Sequence, residues 1–284
     1  MEDFKSGYDL PPLALNEFLE ATKKMPDRKD TIEGILPSEE LALLAGDPWQ
    51  GKSLEHQMLG CAFGQGASYH GLKLKKCRAL YITWEGATKG IGKRFETLAK
   101  SYPSDLPPIL KMQSSPIHLN TVDGRNKMFN IISSVKEKYS NLEVLLLDSF
   151  PYTCHGNYKQ DDVVESWYEG IMGIARTLQV TPIVIFELRK LTMWGGIPEE
   201  YFTPERLKGA KTIGYKAYSI IMTGEAKRQV KNEWQDDGHK IVIAKAKDAE
   251  ASFEALTVTL NRNTLLYEGQ EWKLDKEECE YKAI

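Results

Sequence analysis

Residues 46–53 read GDPWQGKS, two glycines five positions apart with a lysine and a hydroxyl residue directly after the second. Glycine at those two points lets the backbone bend so tightly that successive N–H groups converge on one spot. An apolar run without alternation, residues 41–45 (LALLA), precedes the bend, and a helical pattern over about 52–64 follows it. A strand that is apolar on both sides belongs inside a parallel sheet covered by helices. The bend therefore joins a buried strand to the amino end of a helix, where free amides and the helix dipole favour anions. That arrangement calls for a layered α/β domain. On this reading Gly46, Asp47, Pro48, Trp49, Gln50, Gly51, Lys52 and Ser53 cradle the phosphates of a nucleoside triphosphate such as ATP. Lys52 reaches the β- and γ-phosphates, and the Ser53 hydroxyl ligates Mg2+.

The rest of the chain keeps the alternation going. Residues 79–84 (ALYITW), 144–147 (VLLL) and 182–186 (PIVIF) read as further buried strands, and 108–112 as a shorter one. Helical patterns cover 88–101, 126–138 and 163–178, the second with Met128, Ile131, Ile132 and Val135 on one side. Strands alternating with helices in this way make a parallel sheet with right-handed crossovers. In the final third, 217–222, 240–245, 256–260 and 264–267 are short strands with close turns, which predicts antiparallel hairpins extending the sheet. The expected fold is α/β: a mostly parallel twisted sheet flanked by helices, with C-terminal antiparallel hairpins. Residues 1–30 are expected to be an N-terminal arm, with Leu15, Phe18 and Leu19 on one helical stripe, and 31–284 the domain itself. The polar stretch 191–216 lacks a core pattern and is expected to be a functional loop.

Composition removes several alternatives. No apolar run approaches the roughly 20 residues needed to span a bilayer, and the first residues lack the pattern of a signal peptide. A cytoplasmic protein without a membrane partner is expected. The four cysteines lie far apart without zinc-ligand spacing, and none of the five histidines sits in an HExxH pair. A net charge of -3 argues against a broadly basic coat but leaves room for a basic channel within an acidic whole.

Two carboxylates complete the chemistry. Asp148 closes the VLLL strand, and Glu85 directly follows ALYITW. Carboxyl ends of parallel strands line the ligand crevice. Asp148 therefore lies beside Ser53 and holds Mg2+ through water, while Glu85 orients and deprotonates the attacking water.

Residues 32–53, 79–86, 144–149 and 182–190, taken in order, resemble the RecA-like P-loop ATPases. The resemblance is nearest to the RepA-type hexameric replicative helicases of plasmids and phages, looser to DnaB-type helicase cores, and runs from about 32 to 267. It implies that Glu85 activates water and that Asp148 serves the metal. It further implies that Lys245 and Lys247, in IVIAKAKD, reach the γ-phosphate of an adjacent subunit. Lys247 stands where the family usually has arginine, so the planar fork is lost. Glu187 departs too, standing where Gln or His is usual; an ionised carboxylate there repels phosphate unless Arg189 or a lysine compensates it. The resemblance also implies channel loops for single-stranded DNA. They are 152–161 and 191–216, the latter with Arg206, Lys208, Lys211, Lys216, Trp194 and Tyr201. The implied protein is a homo-oligomeric ring, a hexamer, with active sites between subunits and separate replication proteins as partners. A filament-forming recombination or repair ATPase and a regulatory ATPase acting on a protein partner are the alternatives.

Overall fold

Leu43 and Leu44 are neighbours in the chain, yet they pack into different cores. A strand points successive side chains to opposite faces, so an uninterrupted apolar run must be covered on both. The computed structural model, which describes residues 14–23, 28–112, 115–189, 202–209, 211–230, 233–248, 252–275 and 280–284, has that architecture. One sheet of nine strands divides the two cores. In chain order the strands are β1 (Ala42–Gly46), β2 (Arg78–Thr83), β3 (Ile109–Lys111), β4 (Leu142–Asp148), β5 (Thr181–Glu187), β6 (Ser219–Val230), β7 (Glu233–Ala246), β8 (Leu256–Asn261) and β9 (Leu266–Gly269). Across the sheet they lie in the order β9-β8-β7-β6-β1-β5-β4-β2-β3. From β6 to β3 every pairing is parallel; from β9 to β6 every pairing is antiparallel.

Helices α2 (Lys52–Gln65) and α3 (Thr88–Ser101) cover one face. Helices α4 (Val122–Lys138), α5 (Asp161–Leu178) and the short α6 (Thr212–Lys216) cover the other. Each large apolar side chain buried in this way contributes roughly 1.5–3 kcal/mol. The strip β1-β5-β4 is buried on both faces and forms the stiffest platform of the molecule. Helix α2 is enclosed nearly all round, with Glu55, His56 and Gln57 at 0% exposure. Buried polar groups need partners, and each has one. His70 meets Glu55 at 3.0 Å, His56 meets the Ile183 carbonyl at 3.1 Å, and Gln57 donates to the Tyr81 hydroxyl at 3.0 Å.

Four departures from the sequence reading have physical causes. Helix α4 starts at Val122, before the expected 126, because the Thr121 hydroxyl caps it by accepting from the Gly124 amide. Residues 219–222 were expected within an antiparallel hairpin, yet they also run parallel to β1, with Ser219 opposite Ala42 and Met222 opposite Ala45. Helix α6 carries the chain back across the sheet to make that crossover. The expected strand 240–245 is only the end of a long ribbon formed by β6 and β7. The stretch 191–216, expected to be one loop, contains a 3-10 turn at Pro204–Arg206, a bridge between Leu188 and Leu207, and α6. Trp194 and Tyr201, named for that loop, lie outside the described residues.

Helix α1 (Leu15–Lys23) displays Leu15, Phe18 and Leu19 at 71%, 45% and 46% exposure, so their stripe is not covered by the described chain. Among the described residues no helix is long and apolar enough to cross a membrane.

Candidate functional site

β1 ends at Gly46, the chain bends through residues 47–50, and α2 begins at Lys52. Two glycines are required there. A Cβ at Gly46 would collide with the Thr223 carbonyl of β6, and one at Gly51 would collide with the Tyr267 hydroxyl of β9. Gly51 also has φ +80°, a conformation that costs a side-chain-bearing residue. The Leu54 and Glu55 amides close the first helical turn on the Gly51 carbonyl, both at 2.9 Å. Surrounding elements grip the bend. Gln50 accepts from the Glu225 amide at 2.8 Å, and Tyr267 stacks on His239 at 4.9 Å between ring centres. Trp49 projects fully into solvent.

The Lys52 ammonium donates to the Asp47 carbonyl at 2.8 Å. Burial lowers its pKa, while the carboxylates of Glu187, Asp148, Asp47 and Glu85 pull it back up. Four acidic groups from four separate segments therefore act on one ammonium. The sequence-predicted cluster is assembled in space around Lys52.

Asp148 ends β4 and is 2% exposed. Tyr81 donates to its Oδ2 at 2.6 Å, whereas its Oδ1 is buried without a hydrogen-bond partner among the described residues. Burial raises the Asp148 pKa, and the hydroxyls of Tyr81 and Ser53 oppose the rise. A buried carboxylate oxygen with no donor is costly unless something positive arrives. A hydrated divalent cation held by Ser53 and Asp148 would meet that need. The residues present fit Mg2+, an ion that keeps several of its waters and takes few protein oxygens.

Glu85 lies just past β2 and is exposed. The Ser149 hydroxyl donates to its Oε1 at 2.6 Å, and the Glu85 amide donates to the Thr83 hydroxyl at 3.1 Å. Thr83 pairs with Asp148 across the β2–β4 ladder, so the two carboxylates stand at adjacent strand ends. Glu187 pairs with Gly46 at the end of β5 and receives the Lys208 ammonium at 2.7 Å. A lysine thus compensates the acidic residue at that position.

The basic residues named from sequence are already engaged. Arg206 is 7% exposed; it contacts both Asp47 oxygens, at 3.1 and 3.2 Å, and donates to the Arg189 carbonyl at 2.9 Å. Arg189 donates to the Gly209 carbonyl at 2.6 Å. Lys216 pairs with Glu165 at 2.8 Å and lies over the Tyr168 ring. Lys245 donates to the carbonyls of Gly214, Tyr215 and Ala217 at 2.6–2.9 Å. Burial, with help from Lys247, pushes its pKa down to about 8. Lys211 and Lys247 are exposed, the latter just beyond β7. The stretches 152–161 and 206–216 meet: Thr212 bonds Asp161, and Gly209 packs on Tyr158.

Sequence reasoning missed Tyr81, Ser149, Tyr267 and the Arg206–Asp47 contact. Tyr81 carried a faint signal, a hydroxyl inside an otherwise apolar strand; the others carried none.

A family model described as "AAA domain" matches residues 10–193. Among solved structures, the KaiC-like protein PH0186 from the hyperthermophilic archaeon Pyrococcus horikoshii is 14% identical, with a TM-score of 0.54 over 85% of this chain and 99% of that one. The ATPase domain of a helicase is 11% identical, with a TM-score of 0.64 over 90% of this chain and 96% of that one. Among curated proteins none matches. At these identities the likeness establishes the fold, that of the RecA-like P-loop ATPases.

Proposed function

The chain belongs to the AAA domain family, and from that premise we propose that it hydrolyses ATP and moves along single-stranded DNA as a hexameric ring of its own copies, the motor of a replicative helicase. The observation that carries the hydrolytic part is the gathering of Lys52, Asp148 and Glu85 at the carboxyl edge of adjacent strands, with Asp148 Oδ1 buried and unpartnered. Backbone amides of residues 47–53 and the Lys52 ammonium bind and orient the triphosphate. Ser53 and Asp148 would hold Mg2+, which when bound supplies positive charge against the phosphate oxygens. Glu85 accepts a proton from water as the water oxygen bonds to the γ-phosphorus, and the bond to the departing ADP oxygen breaks. Ser149 fixes the Glu85 carboxylate for that role.

Support for the ring comes from Lys247, which stands exposed past β7 where it could reach a neighbouring copy, and from the fold shared with a helicase ATPase domain. One observation favours a second reading, a regulatory ATPase that acts without DNA: Arg206, Lys208 and Lys216, expected to face nucleic acid, are all ion-paired within the chain. The deciding experiment measures ATPase rate with and without single-stranded DNA across protein concentration. Stimulation that rises with assembly is expected; a rate indifferent to DNA at low salt would select the regulatory reading. Lys52→Ala should cut turnover by at least about 100-fold, and an unchanged rate would remove the site itself.

A further inference from the structure

Asp47 is an awkward residue for a phosphate cradle. It is the first residue after Gly46, its carbonyl receives the Lys52 ammonium, and its carboxylate belongs to the same short bend. An uncompensated negative charge beside a triphosphate is repelled strongly where water is partly excluded. Arg206 is the group that answers it. The guanidinium meets both Asp47 oxygens, donates to the Arg189 carbonyl, and is almost completely enclosed. Its backbone is strapped down as well: the Arg189 amide donates to the Arg206 carbonyl at 2.6 Å, and the Lys208 amide to the Glu187 carbonyl at 2.9 Å. One residue earlier on β5, Leu188 donates to the Gly46 carbonyl at 3.2 Å. A continuous set of main-chain bonds thus fixes Arg206 relative to the glycine that opens the bend.

We infer that Arg206 is a positioning residue for nucleotide binding, which neutralises Asp47 and holds the bend in its phosphate-receiving shape, and that it is not a nucleic-acid contact. The inference rests on the nucleotide reading of residues 46–53. Arginine suits the task because its planar fork can satisfy a carboxylate and a carbonyl together, whereas a lysine offers a compact charge. Buried cations removed from such pairs leave the partner's charge behind, and that remaining charge does most of the damage.

The test is a double-mutant cycle read by calorimetric titration with ATP and Mg2+. Arg206→Gln should weaken ATP binding roughly tenfold or more, and should raise KM more than it lowers kcat. Adding Asp47→Asn to it removes the uncompensated charge and should recover most of the lost affinity. A purely structural role for Arg206 predicts no such recovery. Failure of the double variant to bind better than Arg206→Gln, with both melting as folded proteins, would overturn the inference. If Arg206→Gln does not fold, Arg206→Lys with and without Asp47→Asn puts the same question with the charge retained. There, affinity close to the parent's that Asp47→Asn does not improve supports neutralisation, and a loss as deep as truncation would cause overturns it. A parent protein that binds no ATP would sink the nucleotide reading, a result distinct from a parent that binds while the cycle shows no coupling.

Discussion

The acidic and basic flanks of the site stand in opposite conditions. On the β2–β4 side, Asp148 keeps a buried oxygen without a partner, and Glu85 is held at one oxygen while remaining exposed. On the β5–β7 side, Arg206, Lys208 and Lys245 each already have acceptors inside the chain. An unsatisfied buried acceptor waits for a cation, whereas a cation that is already paired must exchange partners before it acts on anything else. The acidic flank is therefore organised in advance, and the basic flank is conditional. That difference separates chemistry that needs only nucleotide from chemistry that needs a neighbour or DNA.

The largest effect should fall on the organised flank. Glu85→Gln preserves shape and the acceptor for Ser149 but cannot take a proton at neutral pH. A positioned base is worth roughly 10²- to 10⁴-fold, so single-turnover hydrolysis should drop by that factor while ATP affinity is retained. An active variant would mean that the base lies elsewhere and that the flanks do not divide as described.

Tyr81→Phe probes the same flank one layer out. Its hydroxyl bridges Gln57 and Asp148 inside the core, at 3.0 and 2.6 Å. Loss of it leaves Asp148 Oδ2 short of a donor and should push the Asp148 pKa, already raised by burial, higher still. Groups that orient metal ligands typically matter 10–100-fold for metal affinity. The Mg2+ concentration that half-saturates ATPase should therefore rise by about tenfold or more, most visibly as pH falls toward the raised pKa. An unchanged Mg2+ requirement would detach Asp148 from the metal.

The two flanks also differed in how far sequence could disclose them. Asp148 and Glu85 follow apolar strands, so strand ends alone locate them, and β1, β2, β4 and β5 each came out within a residue or two of their expected bounds. The bend at 46–53 was legible because glycine spacing and lysine position are imposed by local geometry. Arg206 had no comparable mark. Its contact with Asp47 joins residues 159 positions apart in a polar stretch without periodicity, and only the Leu188–Leu207 bridge brings them together. The parallel pairing of β6 to β1 was hidden for a related reason, since strand direction depends on α6, five residues too short to announce a helix. The Lys245 and Lys247 spacing predicts side chains on one face of a strand. A register shift between the Ile220 and Ile221 pairings interrupts the alternation, and β7 ends at Ala246 before Lys247 is reached.

That interruption yields the smallest expected effect and the sharpest cut through the conditional flank. Lys245 closes the end of α6 by donating to three carbonyls that have no further helical turn to bond. Lys245→Met keeps much of the aliphatic stem and removes those bonds, which should cost about 1 kcal/mol and lower Tm by about 2–4 °C. If Lys245 serves α6 alone, the assembly-dependent part of the ATPase rate should stay within a few-fold of the parent's, and Lys247→Ala should remove it. If Lys245 instead exchanges its carbonyls for a neighbour's phosphate, Lys245→Met should abolish that concentration-dependent part as thoroughly as Lys247→Ala. Mixing each variant with Glu85→Gln subunits separates the cases, because a lysine acting across an interface is restored by a neighbour that still carries it, while a lost α6 anchor is not.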